Sequence, residues 1–149
     1  MTPNLQIPLL AARRLLRTAL ALALFTAACG GGGPDEASLR DSFAQQVAAN
    51  EWVSDFARNG DELTFTGPGP EGGTAMWRIE IDSAVVEENT DDPERHPWKG
   101  TVRSSWYADG VEIEPSGSES NLPLELISNG VSQDCWALWE PDTERWGWE

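Results

Sequence analysis

The chain has 149 residues, 40% hydrophobic and 9% aromatic, which leaves room for one domain with a real core and excludes a chain too polar to fold. It carries 25 Asp and Glu against only 10 Lys and Arg, a formal net charge of −15. Such a field repels phosphates and anionic headgroups, so nucleic-acid binding is excluded, and it attracts cations or a basic partner.

The charge is unevenly spread. Arg13, Arg14 and Arg17 come before residue 28, and after it seven basic side chains face all 25 acids, a net of −18. Nine arginines and the single Lys99 make up the basic set. Scarce lysine with excess carboxylate suits a salt-screened setting as well as plain solubility.

In chain order, residues 1–28 have the layout of an export signal, a basic region ending at Arg17 and then the apolar run "TALALALFTAA". That run of 11 residues is too short to cross a bilayer, which takes about 20. "RRLLR" lacks most of the flanking pattern of a twin-arginine signal. The run ends in "TAAC", where Ala27, Ala28 and Cys29 match and Thr26 stands in place of the usual leucine. This stretch resembles the lipobox of bacterial lipoproteins.

The resemblance implies a diacylglyceryl group on the Cys29 thiol, cleavage that makes Cys29 the N-terminus, and further acylation in many bacteria. The membrane is then a partner through acyl chains on Cys29, with residues 29–37 as a Gly-rich tether and residues 38–149 as the domain. Gly30 resembles the default sorting state of Gram-negative lipoproteins, which implies the outer membrane. In a Gram-positive host the place is the outer face of the plasma membrane. Two or more acyl chains are needed for stable anchoring, since each buried CH₂ contributes about 0.8 kcal/mol. The small residues Thr26 and Ala28 also satisfy an ordinary secretory cut. That route gives a secreted soluble product in which Cys29 is free to pair with Cys135.

"SLRDSFAQQVAAN" predicts a helix, with Ser38 and Asp41 as a capping-box-like pair, Leu39, Phe43 and Val47 at spacing four, and Asn50 as the stop. "EWVSDFA" and "ELTFTG" then form a hairpin around Asn59-Gly60, whose positive φ angles suit a tight turn. After the loop "GPGPEGG", the segment "TAMWRIEIDSAVV" alternates as a strand, with Trp77, Ile79 and Ile81 on one face and Met76, Arg78 and Glu80 on the other. The acidic "EENTDDPERHP" is a second loop, followed by a hairpin around Asp109-Gly110 with Val102, Ser104 and Trp106 alternating. "PSGSESNLP" is turn-rich, and "LELISNG" fits a short helix or a strand. The tail folds as a hairpin around Pro141 to Glu144 that sets Glu140 opposite Arg145, Trp139 opposite Trp146 and Ala137 opposite Trp148. The expected fold is therefore α+β, one N-terminal helix packed on a curved antiparallel sheet of about 5–7 strands built from hairpins.

The residues that suggest chemistry mostly have plainer explanations. "GPGPEG" spells G-x-G-x-x-G, but Pro68 and Pro70 lack N–H groups, Glu71 is an anion, and a strand follows, so it is a loop rather than a dinucleotide site. His96 is the only histidine and sits between acids and a proline on a surface loop. Asp91, Asp92 and Glu94 lack the spacing that wraps calcium, and no metal or cofactor is expected. Cys135, between "QD" and "WALW", reads as a small buried hydrophobe.

The eight tryptophans are the anomaly. Most are explained by a small domain filling its core with bulk. Trp136, Trp139, Trp146 and Trp148 crowd into the tail, and a hairpin hardly buries both faces, so these four are the candidate binding platform. The sequence thus reads as a lipid-anchored, non-enzymatic envelope protein with an acidic, Trp-rich binding or adaptor domain for an envelope protein or a glycan. The alternatives are a small exported hydrolase using carboxylates and His96, or an inhibitor of a cationic hydrolase.

Overall fold

An aspartate whose side chain can accept from the helix's own first amides precedes the helix. Asp35 is the N-cap of α1, Glu36–Ala48. Its carboxylate accepts from the Ser38 N–H at 2.8 Å, and the Ser38 hydroxyl donates back to the Asp35 carbonyl at 2.7 Å. The cap therefore lies at Asp35 and not at Ser38, because a carboxylate also complements the positive end of the helix. The first turn absorbs residues assigned from sequence to the tether. The computed structural model describes residues 33–114 and 132–149. The leader with Cys29 and the expected segments 115–123 and 124–130 lie outside the described residues.

The remaining described residues form an antiparallel sheet built almost wholly from hairpins. Its strands are β1 (Ser54–Asn59), β2 (Glu62–Pro68), β3 (Thr74–Glu88), β4 (Trp98–Ala108), β5 (Val111–Glu112), β6 (Asp134–Glu140) and β7 (Arg145–Trp148). They run in the order β1-β2-β3-β4-β6-β7, with β5 pairing beside β4. The architecture is α+β, one helix lying on a curled sheet.

Turn chemistry fixes the registers. Asp109 and Gly110 both take positive φ (50° and 81°), which lets Ala108 pair with Val111 across two residues. In the first hairpin Asn59 stays in the strand opposite Glu62, and the positive φ falls on Gly60 (65°) instead of on an Asn59-Gly60 pair. The tail pairs as its side chains require: Glu140 opposite Arg145, Trp139 opposite Trp146, Ala137 opposite Trp148.

The core lies between α1 and one face of the sheet. β3 points Ala75, Trp77, Ile79 and Ile81 inward. At Asp82 a bulge shifts the pairing with β4, from Ile81–Ser104 to Ser83–Arg103, so the inward phase passes to Ala84. Phe65, Trp77 and Trp106 form a ring cluster with centroids 5.8–6.4 Å apart. Their polar atoms are satisfied. The Trp77 indole donates to the Pro68 carbonyl, and the Trp106 indole to the Ser104 hydroxyl, each at 2.9 Å. Buried Ser104 passes its own proton to the Gln133 carbonyl at 3.3 Å.

α1 buries Leu39, Phe43, Ala44 and Val47 against this face. Full burial of a side chain such as Leu39 or Phe43 contributes roughly 1.5–3 kcal/mol. The approach is close at Gly100 of β4, where a Cβ would stand 2.7 and 2.8 Å from the two Leu39 methyls and 3.1 Å from the Trp146 ring. Leu39 is fully buried. Replacing Gly100 with alanine is expected to push the helix off the sheet and cost about 1–3 kcal/mol, read as a lower denaturant midpoint at unchanged slope. A midpoint equal to wild type would show that the helix is not seated at this contact.

Candidate functional site

The tail tryptophans do not share a surface. Trp139, Trp146 and Trp148 lie on the inner face with Ala137, and only Trp136 points outward. The indoles of Trp146 and Trp148 donate to Ser38 at 3.2 Å and Ser42 at 3.0 Å. Trp148 meets Phe43 edge-on at 5.7 Å, and Trp139 meets Trp146 at 5.3 Å. The platform of four expected from sequence is thus divided by the alternation of the strand. Trp146 and Trp148 fasten the helix to the sheet, Trp139 packs behind Trp146, and Trp136 is 63% exposed.

Trp136 caps an outward row across three strands. Val85 of β3 pairs with Thr101 of β4, and Thr101 pairs with Trp136 of β6. Val85 is 48% exposed, so an aliphatic and an aromatic side chain stand on one row. Charged pairs flank it, Lys99 with Glu87 at 3.3 Å and Arg103 with Asp134 at 2.9 Å. The arrangement is a small apolar strip with a charged rim, the anatomy of a contact surface.

A second feature went unread in the sequence. Where α1 hands over to β1, Trp52 stands 50% exposed at the mouth of a cleft of about 460 Å³. Ser54 of β1, Thr66 and Pro68 of β2, Thr74 of β3 and four glycines of β2 and the β2–β3 loop complete its wall. Asn50 builds the handover. It is 3% exposed, its side-chain oxygen accepts from the Trp52 N–H at 3.0 Å, and its carbonyl accepts from the Val53 N–H at 3.0 Å. Across the cleft, Gly72 and Gly73 take positive φ (90° and 74°), and the Gly69 N–H donates to the Gly73 carbonyl at 3.0 Å. The only local signal for this site was an asparagine two residues before a tryptophan, and the cleft itself needs the distant loop.

His96 and the main chain of Asp91 serve local structure. His96 places Nδ1 3.2 Å from the Trp139 carbonyl, which only accepts, so Nδ1 is the donor and ties the β3–β4 loop to the tail hairpin. Asp91 closes a turn on Asn89, its N–H donating to the Asn89 side chain at 3.1 Å. Among the described residues, no three His, Cys, Asp or Glu side chains gather where a metal ion would fit.

Cys135 is a free thiol, 4% exposed, and burial pushes its pKa up to about 12, with neighbouring Asp134 adding to the rise. The sign of the consequence is definite. Above 9.0, the ordinary value, the unfolded thiol loses its proton while the folded one keeps it, so stability falls as pH rises from there toward about 12. Denaturant melts of wild type and Cys135→Ala are expected to run parallel below pH 9.0, and only wild type to lose additional stability above it. Equal alkaline slopes would remove Cys135 as the cause.

Comparison with protein-family models, with curated proteins and with solved structures returned no match. No described helix is long and apolar enough to cross a membrane.

Proposed function

We propose that the chain is a lipid-anchored cell-envelope protein whose acidic, Trp-rich domain is a non-catalytic binding or adaptor module for an envelope protein or a glycan. One observation carries the module reading. Six of the eight tryptophans are packed into the fold, whereas Trp52 and Trp136 stand half or more exposed at two separate places. Large aromatic side chains left in water, beside an apolar strip in one case and a cleft in the other, are features of binding surfaces. The anchoring part rests on "TAAC" and on acylation of Cys29. The hydrolase alternative has less behind it. A histidine base in a triad gives its Nδ1 proton to a carboxylate, and His96 gives it to a main-chain carbonyl.

Labelled palmitate is expected to follow the protein into the membrane fraction, and Cys29→Ser to abolish the label and release the protein. Free release of unlabelled wild type would end the anchoring reading. Trp136→Ala, at unchanged thermal midpoint, is expected to weaken capture of the envelope partner at least about tenfold, the usual scale for loss of an aromatic anchor. Unchanged capture by both Trp136→Ala and Trp52→Ala would end the module reading.

A further inference from the structure

We propose that the Trp52 cleft is a saccharide site that takes a neutral, hydroxyl-rich sugar chain with one ring stacked on the indole. The inference deepens the binding-module reading, from which it takes its setting but not its geometry.

The volume of about 460 Å³ falls within the roughly 300–1,000 Å³ of small-molecule sites. The wall has a distinct chemistry. The chain is 23% charged, yet none of the side chains lining the cleft is ionisable. A charged ligand finds no ion partner in the wall itself, so recognition there falls to ring stacking and hydroxyl hydrogen bonds, which a neutral ligand satisfies. Glu51, Asp55 and Glu71 lie just outside the wall in sequence and further repel anions.

Within the wall there is one aromatic ring, three hydroxyls from Ser54, Thr66 and Thr74, the first donating to the Thr66 carbonyl at 3.3 Å, and exposed main chain at Gly72 and Gly73. A sugar ring offers the matching pair, an apolar C–H face for the indole and a belt of hydroxyls that both donate and accept. A polyproline segment is also neutral and stacks on tryptophan, but its grooves are lined by several aromatic rings and few hydroxyls. Trp52 is held ready, because Asn50 fixes its backbone and the helix end behind it.

The position fits an envelope glycan. The cleft is at the Thr74 end of β3, while Glu88 at the far end pairs with Trp98, whose ring lies against Gly33. A strand of 15 residues spans up to about 50 Å, whereas the four residues from Cys29 to Gly33 reach at most about 14 Å. Within the domain, the cleft and the Gly33 contact thus lie at opposite ends of β3.

The test is a titration of the full chain in detergent, with tryptophan labelled by ¹⁵N, using cellohexaose, chitohexaose, maltohexaose and a neutral proline-rich peptide as probes. Trp52→Phe, which removes one indole signal, assigns the Trp52 resonance. At least one hexasaccharide is expected to shift that resonance saturably while Trp146 and Trp148 stay in place. Trp52→Ala should weaken binding at least about tenfold and Thr74→Val about threefold. The proposal is overturned if no hexasaccharide moves the Trp52 signal by about 10 mM, if binding survives Trp52→Ala, or if only the peptide binds. A silent titration leaves the Trp136 surface and the anchor standing, and loss of acylation or of partner capture leaves the titration result as it is.

Discussion

The fold depends on how closely one helix can approach one sheet. A single helix must cover the inner face of a curled sheet, and the two elements repeat at different spacings. At their contact the repeats nearly coincide, since four helical residues rise about 6 Å and two strand residues about 6.6 Å. Ser38 and Ser42 of α1 therefore meet Trp146 and Trp148 of β7 rung for rung. Gly100 supplies the clearance for Leu39 directly beside these rungs. A methyl group at position 100 would press on Leu39 and the Trp146 ring together, straining the apolar contact and the indole hydrogen bond beside it.

This seating decides what remains for the surface. The inner face absorbs Trp77 and Trp106 as bulk, and the tail hairpin uses Trp146 and Trp148 to hold the helix, with Trp139 packed against Trp146. Arginines secure the same helix from outside, Arg58 on Asp41 at 2.7 Å and Arg40 on Asp61 at 3.3 Å. Their carboxylates are more than half exposed, so the pairs add little to stability. Arg78 lies 3.8 Å over the Tyr107 ring and pairs with Glu80, so the outer face near β2 is occupied as well. The outward aromatic surface left over is at Trp52 and Trp136.

Features set by nearest neighbours were legible in the sequence. The Asp109-Gly110 turn, the alternation of Trp77, Ile79 and Ile81, and the Glu140–Arg145 register each follow from a few adjacent residues, and together they imply the helix-on-sheet architecture. Features set by competition or distance were not. Ser38 is a good cap, but Asp35 is better placed, and the choice depends on where the chain enters the helix. The Asp82 bulge hides inside an otherwise regular strand. Alternation divides the tail tryptophans into two faces but does not say which face the helix covers, so one set of four became three inside and one outside. Trp52 fell within a stretch read as strand, whereas β1 begins only at Ser54.

The edge-to-face ring pairs have an optical consequence. Trp77 and Trp106 are fixed 5.8 Å apart at 76°, and Trp139 and Trp146 5.3 Å apart at 67°. Indoles so close and so steeply inclined couple their electronic transitions, and the coupling takes its handedness from the packing. One pair lies in the middle of the sheet and the other in the tail hairpin, so their exciton bands in circular dichroism report on two regions of the core without any added label.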